Sequence, residues 1–312
     1  MKAAGRPDVR RLDAILASPC HRAPLVKLAA TRHRDRRTCA VCGRGFALGG
    51  AVGDLRLTPD GNGVGDSFDR QWRRYHRGDF ERESLYGAGP ESELEGFLGA
   101  FACGREDLRG RWILDAGCGS GRLAQSLGRL GANVVAIDLI DSLAMTGAAN
   151  RLPNVHYLQA DLMHPPFVPR SFDLVWSAGV LHHTGAPRRG LQRLAELVAP
   201  GGALAVWLYS ARRFSPFLAM RTLMPWVRWL PERELMRLCR WLAVPLFVAG
   251  RFAPLWGRRA PGLATVRFGL YDSLSPRYQS RHSAAEVMEW FRGCGLVQCR
   301  VWGEVGVAGV KR

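Results

Sequence analysis

The chain has 312 residues, 47% of them apolar, which is enough to bury the core of one large domain with a small appendage and excludes wholesale disorder. No unbroken apolar stretch approaches the roughly 20 residues that span a bilayer. The opening "MKAAGRPDVRRLDAILASP" lacks the continuous apolar core of a secretory signal, so a cytoplasmic protein without a transmembrane segment is expected. The formal charge of +17 divides unevenly, with +8 over residues 1–50, −4 over 51–110, +2 over 111–210 and +11 over 211–312. Basic ends attract phosphates or an anionic membrane surface, and the same Arg excess also follows from a coding bias that enriches Arg, Ala, Gly and Pro; charge alone does not choose between them. Eight cysteines are too sparse for a disulfide scaffold, so reduced thiols with local metal ligation are expected.

In chain order, residues 1–58 are Arg-rich and carry "SPCHRAPL" and "CAVCGRGF". Residues 59–110 open with a Gly/Asp linker, "PDGNGVGD", and continue in aromatic and charged helical segments. Residues 111–209 alternate strand and helix. "RWILDAG" reads as a strand, "GRLAQSLGRLG" as a helix closed by Gly131, "NVVAIDL" as a strand followed by a helix to Asn150, "VHYLQAD" and "FDLVWSA" as strands, then a helix from Pro187 to Ala199 and the strand "ALAVWLY". Short apolar strands alternating with helices imply a parallel sheet covered on both faces. Residues 210–282 form an insertion whose helices are broken by Pro216, Pro225, Pro231, Pro245 and Pro254. Residues 283–312 give a helix, "SAAEVMEWFRGCG", and two strands, "LVQCRVW" and "VGVAGVK", turned at Gly303–Glu304 into an antiparallel pair that completes the core sheet.

The first strand of the 111–209 unit leads into Gly117, Gly119 and Gly121. A dinucleotide fingerprint wants its third glycine where Arg122 stands, which argues against NAD. Asp115 lies two residues before the first glycine, where a carboxylate repels a pyrophosphate and welcomes an ammonium or a sulfonium. The glycines still allow close backbone approach, and the helix N-terminus they open receives a carboxylate. Asp138 ends the next strand and offers two oxygens to the hydroxyls of a ribose. Asp161 follows the third strand and can accept from an adenine amino group. Three acids at three successive strand ends fit S-adenosylmethionine.

"LDAGCGSG", "VVAID", "QADL", "FDLVWSAGVLHHT" and "LVAPGGALAVW" resemble, in order and spacing, the class I S-adenosylmethionine-dependent methyltransferases of the small-molecule type. The resemblance covers about residues 65–312. It implies an α/β fold with a doubly wound, mostly parallel seven-stranded sheet, Rossmann-like, whose last strand runs antiparallel. By this likeness Asp115, Gly117 and Gly119 line the methionine part of the cofactor, Asp138 with Leu139 beside it the ribose, Asp161 with Leu162 the adenine, and Ala178 and Gly179 the sulfonium. "FDRQWRRYH" resembles the helix that closes over the cofactor, making Trp72 and Tyr75 lid contacts; aromatic residues at helical spacing also read as core.

Methyl transfer from a sulfonium is a direct displacement, so the protein has chiefly to align the reactants and exclude water. His182 and His183 in "GVLHHT" stand at the carboxyl edge of the sheet, as a base for a protonated acceptor or as a cap that holds the loop. No Asn/Asp-Pro-Pro-Tyr follows the fourth strand, where Ser177-Ala178-Gly179-Val180 stands instead, and no Pro-Cys nucleophile occurs in the 111–209 unit. Amino-methylation of nucleic-acid bases and cytosine-C5 chemistry are therefore disfavoured.

"LDAILASPCHRAPL" with "CAVCGRGFALGG" resembles a small zinc-ribbon module found alone, as an activator of methyltransferases, and fused ahead of rRNA methyltransferases. The knuckle Cys39-x-x-Cys42 is intact, whereas Ser18-Pro19-Cys20-His21 stands where C-P-x-C is expected. Cys20 or His21 with Cys39 and Cys42 gives a zinc site short of a secure fourth ligand, and a metal-free segment held by its apolar residues is the alternative.

The insertion mixes Leu, Met, Trp and Phe with Arg and follows the fifth strand. It reads as a lid over an apolar or aromatic acceptor, as a face lying on a membrane, or as ordinary packing. Beyond it Tyr271, Asp272, Arg277, Tyr278, Gln279 and His282 are polar groups able to orient an acceptor. The sequence thus points to a methyltransferase acting at oxygen or nitrogen, rather than carbon, of a small or lipophilic metabolite. An RNA methyltransferase gripping RNA with its basic ribbon, and a non-catalytic partner protein of the same fold, are the alternatives.

Overall fold

A computed structural model describes residues 9–27, 36–58, 64–78, 89–211, 222, 224–252 and 262–312. At its centre lie the strands read from the sequence: β5 (Trp112–Ala116), β6 (Asn133–Asp138), β7 (Val155–Gln159), β8 (Phe172–Ala178) and β9 (Val198–Trp207), with β10 (Leu296–Trp302) and β11 (Gly306–Lys311) from the C-terminus. All five residues of β5 are buried, as expected of a strand covered on both faces. The order is β7-β6-β5-β8-β9-β11-β10, with β5 to β9 parallel and β11 antiparallel to both neighbours. The antiparallel C-terminal pair is therefore as expected from the sequence.

The sheet does not stop at seven strands. Four short strands of the N-terminal segment, β1 (Leu25–Lys27), β2 (Arg36–Cys39), β3 (Gly45–Ala47) and β4 (Gly53–Asp54), continue it, and β4 pairs in parallel with β7 to give eleven. The open edge of β7 presents unpaired backbone groups, and the ribbon satisfies them. Helix α1 (Val9–Ile15) leads into the segment. Ile15, Leu16, Cys39, Phe46 and Leu55 lie in the same buried cluster as Leu114, Val135 and Leu158, so the segment shares the central core.

Helices cover both faces. On one side α3 (Pro90–Phe101), α4 (Arg122–Arg129) and α5 (Leu143–Ala149) bury Phe97, Leu127 and Leu143 against Ile113, Val134 and Trp176. On the other, α6 (Pro187–Leu197) and α9 (Ala284–Gly293) bury Leu194 and Phe291 against Val175 and Val206. Ser283 caps α9 by accepting from the Glu286 N–H. Glycine and proline set several of the helix ends: Pro187 occupies a first-turn position of α6, and Gly121 opens α4 from the left-handed region.

The insertion folds mainly into α7 (Glu232–Phe252) and α8 (Leu263–Leu274), which bury Leu235, Cys239, Val266 and Leu270 in a small core of their own. Pro225 opens a short 3-10 turn to Trp229, and Pro231 immediately precedes α7. Pro245, in contrast, breaks nothing: it lies inside α7 on its exposed side, where the carbonyl it leaves without a donor can reach water. Pro216 and Pro254 fall outside the described residues, as do residues 59–63 at the start of the Gly/Asp linker. Helix α2 (Asp66–Arg77) joins the lid pair to the core. Its Arg74 Nη2 donates to Glu232 at 3.0 Å and its Gln71 Nε2 to Asp272 at 3.2 Å, while its Asp69 accepts from Ser142 N at 2.5 Å.

Gly147 marks where the ribbon meets the core helices, because a Cβ there would lie 2.4 Å from Val52 and 2.6 Å from the carbonyl oxygen of Ala51. Gly147→Val should therefore lower stability in urea unfolding by about 1–3 kcal/mol, the usual cost of overpacking; an unchanged midpoint would mean that the N-terminal segment is not docked as described.

Candidate active site

The acids identified in the sequence gather at the carboxyl edge of the sheet. β5 and β6 pair in parallel with Asp115 beside Ala136, and β6 and β7 pair with Asp138 beside Gln159, so the turn after β5 runs past the end of β6. Gly117 and Gly119 both adopt positive φ, +89° and +52°. A Cβ on Gly117 would lie 2.2 Å from Val180, and one on Gly119 would lie 2.5 Å from the Trp72 ring. Val180 and the Trp72 ring therefore pack directly on backbone that only glycine leaves room for, and α4 begins directly after Gly121.

Asp138 closes the turn, with Oδ2 accepting from Gly119 N at 2.8 Å and Oδ1 from its neighbour Leu139 N at 2.7 Å. Burial raises its pKa against the opposing pull of those backbone donors. Asp115 is in a different state. Its Oδ2 is buried with no hydrogen-bond partner, and burial, reinforced by the charges of Glu93 and Asp138, pushes its pKa up to about 8. Arg122, an obvious counter-charge, is paired instead with Glu93 of α3. A buried carboxyl left this way costs free energy until a cation is bound beside it, which is what the ammonium of S-adenosylmethionine would supply. The donor set and the glycine turn fit the methionine part of that cofactor.

Further along the edge, a cavity of about 170 Å³ is lined by Arg56, Leu57, Thr58, Leu139, Asp161 and His164. Leu139 and Asp161 are the residues expected near ribose and adenine. Asp161 accepts from Met163 N at 2.8 Å and faces His164 Nδ1 at 3.3 Å. Leu162 turns the other way, toward α6, where a Cβ on Gly190 would meet it at 3.2 Å. Arg56 gave no signal in the sequence. It reaches from the N-terminal ribbon to Asp54 (2.9 Å), Asp141 (2.7 Å) and the Leu139 carbonyl (3.3 Å), forming one wall of the cavity.

On the other side of Gly117, Ala178 and Gly179 end β8, and Gly179 N donates to Trp207 O at 3.0 Å. His182 and His183 follow in a short 3-10 turn, both buried. The His182 ring stacks on Tyr209 at 3.8 Å, and neither of its nitrogens has a hydrogen-bond partner. Burial, with His183 and His282 nearby, holds its pKa well below the ordinary imidazole value, so it is neutral. His183 lies 3.1 Å from the Tyr278 carbonyl through Nδ1 and packs on Phe68. Tyr209 donates to Asp272 Oδ2 at 2.7 Å, and burial with that carboxylate raises the phenol well above its usual pKa. Tyr209 was missed in the sequence because it reads there simply as the last apolar residue of a strand.

Trp72 lies on the glycine turn and also packs with Tyr75 and with Phe268 of α8, in the joint between α2 and the lid. Tyr271 is buried in the lid core with its hydroxyl accepting from Arg70 at 3.4 Å. His282 has Nδ1 3.0 Å from Glu286 and Nε2 2.8 Å from Ser280. Tyr278 is partly exposed with Arg277 5.5 Å from its ring centroid.

A second cluster lies in the ribbon. Cys20, His21, Cys39 and Cys42 bring one donor atom each within 4.8 Å of one another. Cys20 Sγ and Cys42 Sγ are 3.7 Å apart, and Cys39 Sγ and His21 Nδ1 are 3.6 Å apart. A tetrahedral zinc with the usual bond lengths needs sulfur–sulfur edges of about 3.8 Å and sulfur–nitrogen edges of about 3.6 Å. The four residues therefore fit zinc, with Cys20 and His21 both supplying the ligands that the sequence had offered as alternatives. Ser18 stays out of the set: its hydroxyl, hydrogen-bonded to Cys39, does most to pull that thiol's pKa down to about 5, and it also accepts from Ala23 N at 3.1 Å.

A protein-family model described as a methyltransferase domain matches residues 114–206, from β5 through β9. The chain carries a methyltransferase domain. The matched stretch includes the strands that end near Asp115, Asp138 and Asp161. An uncharacterized methyltransferase of Mycobacterium tuberculosis is 43% identical over 30% of this chain and 48% of its own length. The ubiquinone biosynthesis O-methyltransferase of Coxiella burnetii is 33% identical over 31% of this chain and 43% of its own. Among solved structures, an S-adenosylmethionine-dependent methyltransferase of Mesorhizobium loti shares 28% identity over 38% of this chain and 52% of its own, at a TM-score of 0.33. The chain thus spans less than half the length of the curated relatives it matches.

Two outcomes test the two sites. If Asp115 must lose its proton to hold an ammonium, affinity for S-adenosylhomocysteine rises with pH, by up to about tenfold per unit between pH 6 and 8, and levels off above pH 8. Asp115→Asn should flatten that profile, measured by calorimetry. Purified protein should contain one zinc per chain by elemental analysis, and Cys42→Ser should lose it together with thermal stability, because structural zinc contributes directly to folding.

Proposed function

We propose that the protein is an S-adenosylmethionine-dependent methyltransferase that methylates an oxygen or nitrogen of a small, apolar or aromatic acceptor, with a structural zinc in its N-terminal ribbon. The observation that carries the reading is the buried, unpartnered Asp115 carboxyl beside a glycine turn whose next strand ends in Asp138. No pyrophosphate would be tolerated there, and a cationic amino acid group would relieve it.

The cofactor, when bound, supplies a methyl group on a positively charged sulfur. The chain's own residues do the rest. Asp115 holds the ammonium, and the turn from Gly117 to Gly121 admits the amino acid backbone. Asp138 accepts from ribose hydroxyls with its remaining lone pairs, and Leu139, Asp161 and Arg56 enclose the adenine. Trp72 and Val180 close on the turn and exclude water from the reacting carbon.

The acceptor stands against the polar group formed by His182, Tyr209 and Asp272, one strand away from Gly179. A neutral His182 always has one nitrogen with a free lone pair. That nitrogen accepts a hydrogen bond from the acceptor's O–H or N–H and takes the proton as the new bond to carbon forms. Because burial makes it a weak base, it acts late, once the acceptor has become acidic by losing electron density to the methyl. The Tyr209–Asp272 pair fixes the ring on which His182 stacks. Its carboxylate comes from the lid, so acceptor binding and lid position are linked.

The test has two stages. Calorimetry with S-adenosylhomocysteine should give binding that Asp138→Ala weakens by about 10-fold to 100-fold, the worth of one or two hydrogen bonds to a charged group. Transfer of a labelled methyl is then followed into fractionated small metabolites, lipids and RNA. His182→Gln should slow transfer about a hundredfold or more without changing cofactor affinity. Absence of cofactor binding in the unaltered protein, or label entering RNA alone, would overturn the reading.

A further inference from the structure

Among the described residues, helix α7 has an exposed face. Trp241 is 80% exposed, and Val244 and Val248 are about half exposed on the same side. Arg233, Arg237, Arg240, Trp241, Val244 and Val248 fall within about 100° of one another around the helix axis, and all six are exposed. The opposite side holds Leu235, Cys239 and Ala243 in the lid core. The 3-10 turn before the helix adds Trp226 at 53% and Trp229 at 74% exposure, on either side of the buried Val227. Every exposed tryptophan among the described residues lies in this one region. Such concentration is unusual, because an exposed tryptophan leaves much apolar area in water.

The charge of the region indicates what covers it. Residues 212–256 contain eight arginines, no lysine and only two acids, Glu232 and Glu234. Glu232 faces inward to Arg70 and Arg74 of α2, and Glu234 accepts from Arg237 at 2.8 Å. The exposed stripe is therefore cationic at its start and apolar towards its end. Two copies of it would repel each other. A nucleic acid would match the arginines and leave Val244 and Val248 in water. An anionic lipid surface matches both halves, since arginines hold phosphate oxygens while tryptophan and valine enter the boundary below the headgroups. No helix among the described residues is long and apolar enough to cross a membrane, so contact through this stripe would be peripheral.

We propose that the exposed face of α7, with Trp226 and Trp229, docks on the surface of an anionic lipid bilayer. The docked helix is one wall of the lid whose other helix, α8, carries Asp272 to Tyr209. Docking therefore places the acceptor side of the site beside the bilayer, and the acceptor class becomes a membrane-dissolved molecule. That last step alone rests on the methyltransferase reading.

The test uses the full chain with extruded vesicles of phosphatidylcholine alone and of phosphatidylcholine with phosphatidylglycerol at about 7:3. The protein should sediment with the anionic vesicles at least about tenfold more tightly than with the neutral ones, and added salt should weaken this. Trp241→Glu combined with Val244→Glu should remove the binding while S-adenosylhomocysteine binding, followed in parallel, stays as in the unaltered protein. That parallel readout reports on the fold and on the cofactor reading independently of docking. The proposal is overturned if the unaltered protein ignores anionic vesicles or the double variant binds them equally well. It is also overturned if the variant changes only self-association or retention on homopolymeric RNA.

Discussion

The buried carboxyl of Asp115 is the constraint around which this structure is organised. It lies one residue from the end of a strand covered on both faces, beside the glycine turn, with its Oδ2 unpartnered, while Arg122 at the start of α4 is paired with Glu93. Left alone it is held largely protonated near neutral pH, with its pKa pushed up to about 8. Between the ordinary carboxylate range and about pH 8 the unfolded chain releases a proton that the fold retains, so the ligand-free fold loses stability as pH rises and the loss levels off above pH 8; a bound cation would reverse it. Glycines at 117 and 119, the backbone N–H bonds donated to Asp138 and the Trp72 ring over the turn shape the space beside it.

The N-terminal ribbon belongs to this arrangement. By pairing β4 with β7 it covers that sheet edge, and through Arg56 it reaches Asp141 and the Leu139 carbonyl beside the cavity. The zinc-ligand quartet lies at the far side of the same segment and ties α1's outgoing loop to the knuckle after β2. The Cys/His quartet, the paired sheet edge and Arg56 in the cavity wall thus all lie in this one segment.

Helix α2 has a comparable position between the cofactor edge and the lid. It meets the core through Trp72 on Gly119 and Asp69 on Ser142, and the lid through Arg74 on Glu232 and Gln71 on Asp272. Because Asp272 also accepts from Tyr209, movement of the lid disturbs the ring that stacks on His182. The glycine turn and the lid are therefore joined through a single helix.

How much of this could be read from the sequence depended on range. The alternation of apolar strands and amphipathic helices, the C-terminal antiparallel pair, the glycine turn and the three strand-end acids are all set by neighbours within a few residues, and each lay where the sequence placed it. The arrangement of donors separated by long stretches of chain was not legible. Arg56 meets Asp141 across 85 residues, Tyr209 meets Asp272 across 63, and Cys20 meets Cys42 through a knuckle whose spacing had seemed one ligand short. The same holds for Pro245, which the local rule reads as a break and the tertiary structure tolerates on a wet helix face. Sequence by itself determined the local backbone and the chemistry available at each strand end; only the folded chain decided which of those groups meet, because burial and pairing across the sheet are properties of the packed layers and leave no periodic mark along the chain.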